Sequence, residues 1–343
     1  MTIQREKGPL NLGVDQGATR DASLDDAPDS AVAPSWPIPP VEPQSFTLWM
    51  RIRGLIRTVR PHQWVKNVFV LAPVVFARNL FDAELLIRAG LAFLVFCLLA
   101  GSIYTINDLA DVQADREHPI KRTRPIASGR VPVPVAKVYA VLLVGTSLSA
   151  ATWLSPWFGA VALAYLSLNL AYTFRLKHVA YLDVACISAG FVMRVMGGGF
   201  ATQTHISAYL YGCTAALALY FGFGKRRHEL TTAVRAGKQR AALEGYTRQG
   251  IDRAMLVSGA LTVLLYLIYT LDPNTREFFQ FDTLWPSAIL VAAGLGRFLF
   301  LVQNRPKEES PTQVMLSDGP GVAIVLIWAA MLIWVVYHLS PAV

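Results

Sequence analysis

The chain has 343 residues, of which 54% are hydrophobic and only 16% charged, and its mean hydropathy is +0.40. Several apolar runs approach the roughly 20 residues needed to cross a bilayer, so the composition excludes an ordinary soluble domain and predicts a polytopic membrane protein. The net charge of +8 does not argue for a nucleic-acid partner, because Lys and Arg concentrate in alternate loops, as the positive-inside rule requires.

In chain order, residues 1–45 are rich in Asp, Ala, Ser and Pro and hold no apolar run. They cannot bury enough apolar surface to fold alone and read as a disordered N-terminal tail, without the hydrophobic stretch of a signal peptide. A single membrane domain is expected over 46–343. From Phe46, Leu48, Ile52, Leu55, Ile56 and Val59 recur at helical spacing while Arg53, Arg57 and Arg60 lie away from them. That pattern predicts an amphipathic helix on the membrane surface, with Trp49 at the interface.

Apolar runs then predict nine spans, the first opened by the run 60–67 and continuing to about 77, the others near 85–106, 135–154, 158–174, 181–200, 207–224, 254–271, 285–302 and 321–339. With the N-terminus inside, the even-numbered connections are cytoplasmic, and they carry the basic clusters. The fold expected is all-α: nine transmembrane helices around a cytoplasm-facing cavity, in the cytoplasmic (inner) membrane. Cys97, Cys186 and Cys213 fall in apolar runs at no metal or redox spacing and read as packing residues.

The polar residues at this cytoplasmic side carry the chemistry. Gln63, Lys66 and Asn67 share a helical face at the start of the first span. After the second span come Asn107, Asp108, Asp111 and Asp115. On a helix, Asp108, Asp111 and Asp115 fall at i, i+3 and i+7, and Asn107, Asp111 and Asp115 at i, i+4 and i+8, so either set lines one face. Such oxygen donors suit a hard divalent cation such as Mg²⁺, which in turn binds phosphates. Charges at a membrane boundary are costly unless paired, hydrated or bound to metal. Arg116, His118, Lys121, Arg122 and Arg124 follow in one short loop. Carboxylates for a metal beside cations for phosphates suggest a Mg²⁺-diphosphate site.

Further along, Tyr172 and Lys177 precede Asp183 at the start of the fifth span, and Arg194 lies within that span. An intramembrane arginine needs a partner or a cavity; Asp183 lies about three turns away, too far for direct pairing. Gly197, Gly198 and Gly199 read as helix termination. Lys225 and Arg226 close the sixth span, and the polar stretch after it has the length of a cap over the cavity.

The nine-span pattern with Asn107-Asp108-x-x-Asp111-x-x-x-Asp115 resembles the UbiA superfamily of intramembrane prenyltransferases. The runs Arg60–Asn67, Asp115–Gly129 and Tyr172–Lys177 resemble its decaprenyl-phosphate phosphoribosyltransferase branch. This resemblance implies transfer of 5-phosphoribosyl from phosphoribosyl diphosphate (PRPP) to a polyprenyl phosphate, with release of diphosphate. In that branch the product leads to the arabinose donor of the cell wall. The resemblance further implies that Asn107, Asp111 and Asp115, with Asp108 close by, hold Mg²⁺, and that Lys66, Lys121, Arg122, Arg124 and Lys177 contact phosphates. The wider superfamily carries a second aspartate motif. Here Asp183 is followed by Val184, Ala185, Cys186 and Ile187, which favours phosphoribosyl transfer over aromatic prenylation. Asp183 is then a candidate for stabilising the ribose ring or binding its hydroxyls. The alternatives are a prenyltransferase acting on an aromatic acceptor and, in a different class, a transporter or lipid-binding protein. A homo-oligomer is compatible with small-residue helix faces, none of which the sequence locates.

Overall fold

The structure, a computed structural model, describes residues 46–236, 243, 245–279, 284–304 and 317–338. The expected tail over 1–45, part of the stretch after the sixth span and most of that between the last two spans lie outside the described residues. Among the described residues every regular element is helical.

Helix α1 (Leu48–Thr58) begins where the Thr47 hydroxyl accepts from the Met50 amide. It is followed by a 3-10 helix, Pro61–Leu71, and by the short α2 (Ala72–Phe76). Next come α3 (Ala83–Ala110), α4 (Val112–Glu117), α5 (Val133–Leu154), α6 (Pro156–Phe174) and α7 (Leu182–Thr202). The chain continues through α8 (Ala208–Ala236), α9 (Arg248–Leu271), α10 (Pro273–Phe279), α11 (Pro286–Asn304) and α12 (Gly319–His338). Each expected span coincides with a helical segment. Six of them, α3, α5, α6, α7, α9 and α11, are long and apolar enough to cross a membrane. Outward-facing Val138, Val141 and Leu142 of α5 and Leu256, Val257 and Leu264 of α9 are exposed, as lipid-facing surfaces are. The chain is a multi-pass membrane protein.

Two expectations are corrected. The first span is not a continuous α-helix. Pro73 cannot donate to an i−4 carbonyl, and β-branched Val65, Val68 and Val70 lower α propensity, so residues 61–71 wind as a 3-10 helix. A 3-10 run of this length is uncommon and marks a segment shaped by its neighbours. The neighbour is α7. Gly197, Gly198 and Gly199 do not end that helix but lie inside it. A Cβ on Gly198 would stand 2.0 Å from the Val70 carbonyl oxygen, and one on Gly197 2.5 Å from the Phe96 ring. The glycines allow the 3-10 backbone to lie directly on α7. The sixth span runs on as helix through Lys225–Glu229, with α8 continuing to Ala236.

Two apolar cores flank α7. One joins Phe96 of α3 to Phe158 and Tyr165 of α6, with ring centroids 5.7 and 5.2 Å apart. The other joins Val184 of α7 to Tyr220, Met255 and Phe298 of α8, α9 and α11. At one end of the bundle Arg88 donates to the carbonyls of Ala201 at 2.8 Å and Leu154 at 3.0 Å. One guanidinium thereby satisfies orphan carbonyls at the ends of α7 and α5. The polar motifs gather at the other end, where α3 finishes.

Candidate active site

Asp111 is the hinge of the acidic motif. It ends α3 and precedes α4, at φ −95° and ψ 7°. The Asp111 amide still donates to the Asn107 carbonyl at 3.0 Å, and the Asp115 amide to the Asp111 carbonyl at 2.8 Å. The helical register therefore survives the break. Asp108 and Asp115, seven residues apart, are both buried and meet through one arginine. Arg124 Nη1 lies 2.7 Å from Asp115 Oδ2 and 3.2 Å from Asp108 Oδ1. Arg60 Nη2 adds a 2.6 Å contact to Asp108 Oδ1, and Lys121 Nζ stands 3.9 Å from Asp115 Oδ1. Asp111 is exposed and in no ion pair among the described residues. The expected convergence of all three carboxylates is thus not present. Among the described residues no three acidic, His or Cys side chains are placed to hold a metal ion. The turn at Asp111 and the two arginines are the reason. Asn107 nonetheless presents a buried Oδ1 with no hydrogen-bond partner. An amide oxygen of this kind, like the carboxylates of Asp111 and Asp115, is a hard donor of the sort a divalent cation takes.

Arg60 was missed as a site residue. Its φ of 51° places it in the left-handed region, which costs a non-glycine residue roughly 1–2 kcal/mol. The ion pair with Asp108 offsets that cost, and the guanidinium also covers the Tyr104 ring at 4.8 Å.

A cationic group lies beside this acidic one. Lys66 of the 3-10 helix lies within electrostatic range of Lys225 on α8, Arg194 on α7 and Arg60. Arg194 is buried and has only neutral partners. Its Nε donates to Asn67 Oδ1 at 2.7 Å, Nη1 to the Gly190 carbonyl at 2.9 Å and Nη2 to the Tyr165 hydroxyl at 2.7 Å. No carboxylate pairs with it among the described residues. The expected partner on another helix is therefore found, and Asn67 is turned inward by it. Gln63 and Lys66, three apart, stay together on the 3-10 helix, while buried Asn67 leaves their face. The sum is a wall of four cations, of which Arg60 pairs with Asp108 and Lys225 lies 3.9 Å from Glu229, while Arg194 meets no carboxylate among the described residues.

Asp183 occupies a different setting. It is fully buried. Its Oδ1 accepts from the Val184 amide at 2.8 Å and, in a short hydrogen bond, from the Tyr246 hydroxyl. Its Oδ2 faces Arg226 Nε at 2.5 Å. Arg226 is also paired with Glu229 and donates to the Tyr172 hydroxyl at 3.3 Å. Tyr246 in turn accepts from the Tyr181 amide at 2.7 Å. Burial, and then the bond to Asp183, push the Tyr246 phenol above its ordinary range, so it remains a donor at neutral pH. Contact between Asp183 and a substrate requires one of these partners to let go. Tyr246 and Tyr165 were not legible as site residues; their partners are 63 and 29 positions away, and no local pattern announces them. Lys177, in the short turn Leu176–His178, and exposed Arg122 lie on the same connections.

Two cavities can be described, and neither is lined by a residue of the acidic motif. One, of about 530 Å³, is lined by Leu85, Gln203, His205 and Asp272, at the start of α3. The 28 residues of α3 put that end about 42 Å from the acidic motif. The other, about 180 Å³, is an apolar slot between Phe69, Leu217, Tyr266 and Trp328.

A multi-helix membrane bundle with a basic and an acidic cluster on one end defines a class, and sequence comparison gives its family. The profile described as UbiA prenyltransferase family matches residues 68–317, and the chain belongs to that family. The decaprenyl-phosphate phosphoribosyltransferase of Mycobacterium tuberculosis (strain ATCC 25618 / H37Rv) is 39% identical over 284 residues, 81% of this chain and 93% of the relative. The protein of the same description from Mycolicibacterium smegmatis is 42% identical over 220 residues, 63% of this chain and 69% of the relative. In fold, the chain is similar to a UbiA homolog from Archaeoglobus fulgidus solved with GPP and Mg²⁺. The TM-score is 0.60 at 20% identity, covering 84% of this chain and 100% of that one.

Proposed function

We propose that this protein transfers 5-phosphoribosyl from PRPP to a polyprenyl phosphate and releases diphosphate. The observation that carries this reading is the grouping of the cations Lys66, Arg194, Lys225 and Arg60 beside the acidic end of α3, with Arg194 held by neutral partners among the described residues. The two named relatives add weight, since both are described as decaprenyl-phosphate phosphoribosyltransferases. Nine crossings, with the acidic end facing the cytoplasm, complete the proposed arrangement.

In the reaction the anomeric C1–O bond to diphosphate breaks, and an oxygen of the lipid phosphate bonds to C1. Positive charge builds on the ribose ring and negative charge on the leaving oxygens. Asn107, Asp111 and Asp115 are the residues that would hold Mg²⁺, which supplies positive charge to the diphosphate. Asp108, under two guanidinium groups, orients Arg60 and Arg124. Lys66, Lys121, Arg122, Arg124, Lys177 and Lys225 offer charge to phosphates of donor and acceptor. Gln63 flanks Lys66, Arg194 and Asn67 shape the wall, and Tyr172 steadies Arg226. The acceptor phosphate is already an anion, so no strong general base is required, and alignment of the two substrates supplies much of the acceleration. Asp183 acts by positioning Arg226 and Tyr246.

The test is a paired assay on purified protein in detergent with Mg²⁺. One tube holds labelled PRPP and decaprenyl phosphate, the other a labelled prenyl diphosphate and an aromatic acceptor. Label passing from PRPP into the lipid phase is expected. Transfer in the second tube alone would replace this reading with aromatic prenylation.

A further inference from the structure

Helix α1 leaves one surface unused by the rest of the protein. Its inner side is fixed: Gly54 and Thr58 are buried, and a Cβ on Gly54 would stand 2.8 Å from Val131. Its outer side shows two adjacent helical rows. Leu48, Ile52 and Ile56 are 74%, 40% and 53% exposed, and Trp49, 68% exposed, heads the row that continues into Arg53 and Arg57. Arg51 is exposed on the other flank. Residues 46–60 contain four arginines and no acidic residue. Exposed apolar side chains bordered by cations, with an indole between them, are what an interfacial helix presents to lipid. The helix also leads directly into Arg60, whose guanidinium holds Asp108 at 2.6 Å.

We propose that α1 is a docking surface for anionic phospholipid, with Leu48, Ile52 and Ile56 among the acyl chains and Arg51, Arg53 and Arg57 on the headgroup phosphates. The occupant is a negatively charged bilayer surface rather than a protein. The apolar row Leu48, Ile52 and Ile56 suits the acyl boundary, and the three arginines match a surface of opposite charge, each gaining from it as basic residues near an anionic leaflet do. Anionic lipid bound there fixes the segment that carries Arg60.

The test reads lipid contact and not enzymatic activity, so it stands or falls separately from the proposed reaction. The full chain is placed in vesicles of phosphatidylcholine and phosphatidylglycerol at a fixed ratio. Bromine is carried on the acyl chains of the phosphatidylglycerol in one sample and of an equal amount of phosphatidylcholine in the other. The Trp49 contribution is obtained by subtracting the emission of Trp49→Phe. Quenching of Trp49 at least about twofold stronger by the brominated anionic lipid is expected. The combined variant R51Q, R53Q and R57Q is expected to lose that excess. Equal quenching by both lipids would reduce α1 to an apolar anchor without charge preference and overturn the proposal. Absence of quenching by either would mean that the face is covered by protein, and would overturn it as well.

Discussion

Alanine at Asp111 is expected to lower kcat by about 10²–10³-fold, the range seen when one group stabilising developing charge is removed. Stability should hardly move. The side chain is exposed, and substitutions of that kind usually stay within about 0.5 kcal/mol. Asp115 gives the contrast. It is 1% exposed and carries Arg124 at 2.7 Å. Asp115→Ala removes a second carboxylate of the proposed Mg²⁺ set and also strips Arg124 of its nearer carboxylate. A lost hydrogen bond to a charged group is worth about 1.5–3 kcal/mol, so this variant should lose both turnover and thermal stability in detergent. Parallel measurement of kcat and the unfolding midpoint separates the two. Equal loss of stability in both variants would assign Asp111 a structural role that its exposure does not support.

The second large effect is expected at Asp183, and it is one of stability. Replacement by alanine leaves Arg226, itself 5% exposed, with Glu229 as its one remaining carboxylate among the described residues, and leaves the Tyr246 hydroxyl without its acceptor. Breaking a buried ion pair by removing one partner costs about 3–5 kcal/mol. Tyr246→Phe should reproduce a part of that, about 1.5–3 kcal/mol, because a single hydrogen bond to a carboxylate is removed. If Asp183 instead touched the reacting ribose, Asp183→Asn would abolish kcat with the unfolding midpoint intact, and Tyr246→Phe would be silent. Unfolding midpoints and kcat for the three variants decide between positioning and contact.

These two regions show how far the sequence could be read. Apolar runs located the helices because lipid exposure demands uninterrupted hydrophobic stretches, and α5, α6 and α7 begin and end within about two residues of expectation. Charges stand out against such a background, which made the acidic motif, the basic loops and Arg194 visible. What the charges touch was not visible. Arg194 finds Asn67 across 127 positions, and Asp183 finds Tyr246 across 63. Nothing in the local spacing encodes those pairs. The three glycines of α7 misled for a related reason. Glycine disfavours helix in isolation, yet here the close approach of Val70 requires it, and only packing reveals that. The 3-10 segment followed from the same contact.

The central claim is that the acidic end of α3 receives a diphosphate through a divalent cation. Calorimetric titration of PRPP into the purified protein, with and without Mg²⁺, addresses it without reliance on turnover. The account predicts saturable PRPP binding that requires Mg²⁺ and is lost in Asp111→Ala. Binding of equal strength in a chelator, or binding unchanged in Asp111→Ala, would contradict it.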